Sequence, residues 1–356
     1  MLALVLAGCG TTQTQKAIKI GVLADLSGDY AKDLRGIHRG VELAAADVNF
    51  TANIQLIIED QKSCNAKETV TIMQKFVSVD RVNFIVGGTC SSTTLAAAPI
   101  ANQARTVMIS PSSSAPSITT AGEYVFRTYI SDGLRGEQAG ELACQLGKKR
   151  MALLTETTNP APVELSAKTK QTFARCGTIV TEEALSTEND FRTQLTKIKE
   201  ASPDVLIFSI GTGSKLAQAL LQAQQLGIST QVISPLESAE YPELFQLAGT
   251  SAEGLIYIKP GTPPQTEAVQ SLQKKYKQKY NEEVPDYVAE AYDAAMLGIQ
   301  AVLSSKTAEQ MPEKLTQISK SYNGVSGNVT FDENGDVHKP SQIMQVRNKA
   351  YVPYSP

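Results

Sequence analysis

The chain alternates short apolar runs with longer stretches of helical spacing. Residues 19–26 (KIGVLADL) form an apolar run of strand length, and the following stretch places Ile37, Val41, Ala44, Ala45 and Val48 on one side of a helix. IQLIIED, VTIMQKFVS and VNFIVGG then read as strand, helix and strand, and STTLAAAPIANQA with TVMIS repeats the unit. After YVFRTYI the alternation begins again. Helices are expected over residues 134–146, 162–175, 191–200 and 214–226, separated by the apolar runs RMALLTE, TIVTEEAL, DVLIFSIG and TQVISP. LIYIKP precedes three more helical stretches, and NVTFDENGDVHKP and SQIMQVRNKAYVPY close the chain. Asn334 and Gly335 are expected to make a hairpin turn. Alternation of this kind specifies an α/β fold: largely parallel sheets, doubly wound, with helices on both faces.

Length makes this two units. A chain of 356 residues exceeds one small core and fits two lobes, each able to bury its own. The formal net charge of -3, with no basic stripe, argues against a nucleic-acid partner. The first ten residues, MLALVLAGCG, look like the end of a secretory signal, and Leu6, Ala7, Gly8 and Cys9 resemble a lipoprotein cleavage box with Cys9 as the lipidated residue. Residues 1–16 would then be signal and tether, and no later apolar run is long enough to span a bilayer. Four further cysteines, Cys64, Cys90, Cys144 and Cys176, form an even set that suits disulfides in an exported chain, with three connectivities open. No CxxC pair occurs and the two histidines, His38 and His338, lie far from the cysteines in sequence, so neither a metal nor another cofactor is expected.

In an open parallel sheet, ligands bind beyond the carboxyl ends of the strands. TCSS follows the strand NFIVGG and opens a helix, while PSSSAPS follows the strand TVMIS. Two neighbouring loops thus present hydroxyls and free amides at one edge of one sheet. With a helix N-terminus among them, they suit a carboxylate. A serine hydrolase using these loops would need a histidine base, which the sequence does not bring there, so no catalysis is expected. The GTGSK stretch at residues 211–215 lacks the glycine spacing of a dinucleotide site.

Taken together, GGTCSSTT, VMISPSSSAP, IKIGVLADLSG, EDQKSCNAKE, TSAEGLIYIKP and GNVTFDENGD resemble, in order and spacing, the type I periplasmic binding proteins of the leucine/isoleucine/valine-binding family. The resemblance implies two α/β lobes joined by three crossover strands, here matched by FRTYI, IYIKP and VTFDE. Lobe one would comprise residues 17–131 plus 260–330, and lobe two residues 132–259 plus 331–356. It implies an extracytoplasmic receptor, monomeric and lipid-anchored, that delivers a small molecule to an ABC transporter permease. A sensing receptor of the same fold, reporting an amide or carboxylic acid, is the alternative.

The family disulfide maps to Cys64 and Cys90, and a second bridge is expected between Cys144 and Cys176, each following a lobe-two helix. Ser91 matches the serine that holds the ligand α-carboxylate, Ser112 offers a carbonyl to the ammonium, Ser114 a hydroxyl to both groups, and Thr89 a wall. The acidic ammonium partner falls at Leu236 by strict spacing, with Glu237 one residue on as the expected carboxylate. The aromatic wall positions fall at Asp33, near Pro160 and at Thr212. With Glu156, Thr157 and Ser238 added, this lining leads to the expectation of an amino acid with a polar or cationic side chain.

Overall fold

The computed structural model describes residues 17–28, 30–48, 52–185, 189–241 and 243–355, except for the Asp33 side chain. Cys9 lies outside them. The first half of the chain forms β1 (Ile18–Ala24), α1 (Ala31–Val48), β2 (Ile54–Asp60), α2 (Ala66–Lys75), β3 (Phe84–Val86), α3 (Ser91–Ala104), β4 (Met108–Ser110) and β5 (Val125–Arg127). There follow α4 (Asp132–Gln145), β6 (Arg150–Glu156), α5 (Pro160–Phe173), β7 (Thr178–Leu185), α6 (Arg192–Glu200), β8 (Val205–Ser209), α7 (Gly213–Gln225) and β9 (Gln231–Ser234). The remainder is β10 (Ile256–Pro260), α8 (Glu267–Tyr280), α9 (Val288–Ser304), α10 (Met311–Ser319), β11 (Ser341–Arg347) and β12 (Ala350–Pro353).

Two sheets result. One has the order β2-β1-β3-β4-β5 and is parallel throughout; the other runs β12-β11-β10-β9-β8-β6-β7, with β11 and β12 antiparallel at one edge. Central strands such as β1 and β8 are apolar at nearly every position because helices cover both faces of each sheet. On the first sheet, one face packs Ile37 and Val41 of α1 and Ala294 and Leu297 of α9, and the other packs Met73 of α2 and Ala97 of α3. On the second, Leu195, Leu216 and Leu220 fill one side, and Ala139, Leu142 and Phe173 the other.

The chain passes between the sheets three times, after β5, after β10 and before β11. The third passage differs from expectation. Phe331 and Val337 lie in the core of the first sheet, so residues 331–337 pack with lobe one and the chain crosses nearer residue 339 than 331. What holds them is Arg127, fully buried, whose Nε and Nη2 each lie 2.7 Å from the Asp336 carboxylate. The Asn334–Gly335 turn, with φ +78° at Gly335, therefore closes only a single Phe331–Val337 bridge. The extended hairpin of this region joins β11 and β12 through Asn348 and Lys349, both at positive φ.

Both cysteine pairs are bonded. Cys64–Cys90 and Cys144–Cys176 have Cα separations of 5.6 and 5.8 Å. The first ties the loop after β2 to the N-terminus of α3, and the second fastens the end of α4 to the turn after α5. No helix among the described residues is long and apolar enough to cross a membrane.

Candidate binding cleft

Strand ends of both sheets meet around a cavity of about 140 Å3. From lobe one come Thr89, Cys90 and Ser91 after β3 and Ser112 and Ser114 after β4; from lobe two come Gly211 to Gly213 after β8 and Leu236 to Ser238 after β9. The first crossover adds Tyr129, and the start of α4 adds Asp132 and Arg135.

The serine loops are built from one another's hydrogen bonds. Ser91 Oγ accepts from the amides of Ser114 and Ala115 at 3.2 and 3.1 Å, which welds the two loops and leaves its own proton to donate. Ser112 Oγ donates to the Thr89 carbonyl at 2.7 Å, so its side chain is structural. Ser110 and Ser113 both donate to the Gly88 carbonyl, which explains part of the local wealth of hydroxyls without any ligand. The Ser114 hydroxyl, expected to serve a ligand directly, donates to Asp132 Oδ2 at 2.7 Å. It faces the cavity as a lone-pair acceptor, and its donor role is taken. Thr89 lies in the wall with its hydroxyl turned inward, on Asp25 and Gln61.

A buried charge network crosses the cavity. Asp132 and Arg135, three residues apart on the first turn of α4, are both at most 1% exposed. Arg135 contacts Asp132 through Nε at 2.9 Å and reaches Glu237 on the facing loop through Nη1. Tyr129 donates its hydroxyl to the same Glu237 carboxylate. Burial opposes the charge on Arg135, but Asp132 and Glu237 more than offset it and hold its pKa well above the ordinary value. Burial likewise pushes Glu237 up, yet the Arg135 charge and the Tyr129 hydrogen bond bring its carboxyl below the usual range. Asp132 goes the other way: burial pushes its carboxyl up, against the Arg135 charge and the Ser114 hydrogen bond. With both carboxyls ionised against one guanidinium, the cavity wall carries an excess negative charge among the described residues.

The side walls depart from the polar lining expected. Tyr30, Leu34, Pro162, Tyr241 and Tyr287 close the cavity, with Tyr129 packed edge-on against Tyr287 at 5.5 Å between centroids. Gly213 makes room for Tyr241, since a Cβ there would lie 2.6 Å from the tyrosine Cβ. Asp33 belongs to the first turn of α1, with its side chain outside the described residues. Thr212 reaches the rim, but its hydroxyl donates to Glu156 at 3.0 Å. Glu156 is 3% exposed, satisfied by Lys215 at 2.7 Å and by the Gly211 amide, and faces away from the cavity. Thr157 is exposed and does not line it.

Sequence reasoning missed Asp132, Arg135 and the four tyrosines. One signal was present: FRTYI is a crossover strand, and the helix that a crossover leads into directly must start at the cleft. The two histidines are elsewhere, His38 on α1 and His338 on the surface beside Asp332, so the serine loops have no imidazole base.

The model for the periplasmic binding protein family matches residues 17–350. The chain is 27% identical over 346 residues to the leucine-, isoleucine-, valine-, threonine- and alanine-binding protein of Pseudomonas aeruginosa, covering 94% of this chain and 91% of that one. It is 28% identical over 348 residues to the Leu/Ile/Val-binding protein of Escherichia coli strain K12, covering 93% and 92%. Among solved structures, a leucine-binding protein from Thermotoga maritima superposes with a TM-score of 0.83 at 26% identity, over 95% of this chain and 98% of that one. These are binding proteins rather than enzymes, and they work outside the cytoplasm. With its two doubly wound sheets and the cavity between their strand ends, the chain belongs to the type I periplasmic binding proteins, in the branch of the Leu/Ile/Val-binding proteins.

Proposed function

We propose that this protein is the solute receptor of an ABC importer, a monomer held to the membrane by a lipid on Cys9, and that it closes on a free α-amino acid. One observation carries the reading: the Ser91 hydroxyl, at the N-terminus of α3, and the Glu237 carboxylate line the same small cavity. Ser91 and the positive end of the helix dipole suit the α-carboxylate. Glu237 suits the α-ammonium, and the excess negative charge of the wall favours that group's entry. Ser112 and Thr89 act through backbone and shape, Ser114 through its link to Asp132, and Thr212 by shaping the rim.

The side chain the front cavity takes is small and uncharged. A volume of about 140 Å3 is close to the ~150 Å3 of a cavity that holds benzene, and the walls are Tyr30, Leu34, Pro162 and Tyr241. Of the described side chains from which a polar or cationic ligand was expected, Glu156 and Thr157 lie outside this lining and Thr212 and Ser238 are already bonded, Glu156 being paired with Lys215. Relatives named for leucine, isoleucine, valine, threonine and alanine agree with a neutral ligand.

Thermal unfolding of the soluble protein against a panel of amino acids and matched carboxylic acids tests the proposal. The chain lacks Trp, so circular dichroism or an added dye reports the transition. A ligand at ~1,000 times its Kd adds roughly 4 kcal/mol and raises Tm by several degrees. A rise with the acids alone would replace the amino-acid reading by the sensing receptor for carboxylic acids.

A further inference from the structure

A second cavity, of about 330 Å3, lies behind the first and shares Tyr129, Glu237 and Tyr287 with it as a common wall. All three crossovers line it, through Ile130, Lys259 and Lys339. The two lysines among its described lining are paired differently. Lys259 is satisfied by Glu240, at 2.7 and 3.0 Å to the two oxygens. Lys339, 6% exposed, donates to Ser326 Oγ at 2.9 Å but stands 3.8 Å from Glu290, beyond hydrogen-bonding distance.

An ammonium has three donors and a carboxylate about four acceptor sites. Lys339, buried, has donors beyond its bond to Ser326, and Glu290, with 18% of its side chain exposed, is too far to take them, so the loose pair leaves room for a third group between them. Burial accordingly pushes Lys339 down and Glu290 up, despite the attraction between them. What fits between them is a neutral group with both an acceptor and a donor. An ammonium would meet Lys339, and a carboxylate would meet Glu290, Glu240 and Glu237.

We propose that this hinge cavity is a subsite for the far end of the ligand, and that it takes a carboxamide or ureido group whose carbonyl accepts from Lys339 and whose N–H donates to Glu290. The proposal rests on the amino-acid reading of the front cavity. Access comes through Glu237, which belongs to both cavities. A ligand ammonium that takes this carboxylate competes with the Tyr129 hydroxyl for it, loosening the wall where a side chain has to pass.

The test is calorimetric titration of the whole mature chain with glutamine, citrulline, alanine and leucine, for the wild type and for Glu290→Gln and Lys339→Met. The wild type is expected to favour glutamine or citrulline over alanine, and each variant to lower that ratio roughly ten- to one-hundred-fold, the worth of a hydrogen bond to a charged group. Val284→Phe, which fills the cavity without touching a charge, is expected to lower it too, and serves should either charge variant fail to fold. A wild type with no preference for the carboxamide side chain, or a ratio unmoved in folded variants, overturns the subsite while alanine still binds. If neither alanine nor glutamine binds, the amino-acid reading fails and the subsite falls with it.

Discussion

Replacing Glu237 by Gln keeps the shape of the cavity wall and removes one charge, so it separates the ammonium partner from everything else the cleft does. In the protein without ligand the loss is softened. Arg135 keeps Asp132 through its Nε at 2.9 Å, so the guanidinium is not stranded, and destabilisation stays below the roughly 3–5 kcal/mol expected of an orphaned buried charge. The ligand ammonium loses its one charged acceptor on the facing loop. A hydrogen bond from an α-ammonium to a charged acceptor is worth about 1.5–3 kcal/mol, so the amino acid should bind some ten- to 150-fold more weakly. Calorimetry compares that amino acid with the same compound lacking its α-amino group, which is expected to lose nothing or to gain, because the wall is less negative. Equal losses for both compounds, or none for either, would refute the assignment and leave Glu237 only as a partner of Arg135. The pH profile gives an independent reading. The Glu237 carboxyl lies below its ordinary value, so its contribution is complete above the ordinary glutamate pKa of about 4.3 and fades only as the pH falls through the lower, folded-state value. Glu237 should therefore cost the wild type no affinity down to that ordinary value, and the loss below it should be absent from the Gln variant; a change above it belongs to Asp132, whose carboxyl burial pushes up.

Gly213→Ala should weaken binding by about tenfold or more and lower Tm as well, because the new Cβ would meet Tyr241 near its backbone and displace it from the cavity wall; titration and melting of the same preparation check it. Replacing Cys144 and Cys176 together by Ala should cost about 3–4 kcal/mol, from a bridge spanning 32 residues, and denaturant unfolding monitored by circular dichroism should show it. Asp336→Asn should destabilise by about 3–5 kcal/mol, since it leaves the fully buried Arg127 short of its charge partner, while Arg127→Met in the same background should recover part of the loss; denaturant unfolding of both variants measures it.

The fold was legible because it is written in periods. Apolar strands followed by amphipathic helices fix a doubly wound sheet. The position of the serine loops at the cavity was legible for a related reason: a loop after a parallel strand must lie at the carboxyl edge of the sheet, whatever its detailed contacts. Individual roles were less accessible. Whether Ser114 offers a proton or a lone pair depends on Asp132, eighteen positions further on and packed against it across the cleft. Glu156 reads as cavity lining because it ends β6, but Lys215 on α7 draws its carboxylate away.

Arg135 shows why charge is the hardest part of such a site to read from sequence. In SDGLRG it resembles any basic residue on a helix surface, and Asp132 an ordinary acidic residue of a first turn, a placement favoured by the helix dipole alone. Both are buried only because α4 begins where the first crossover leaves the cleft and is then covered by the loop after β9. Once buried, neither is stable without the other, and the pair needs Glu237 as well to give the wall its excess negative charge. The charge of the cavity wall is therefore a property of three residues from two segments a hundred positions apart. A change at Arg135 should be felt in both fold and ligand: an uncharged residue there strands the buried Asp132 carboxyl beside Glu237 and costs about 3–5 kcal/mol of stability, and the cavity then favours a ligand carrying a net positive charge.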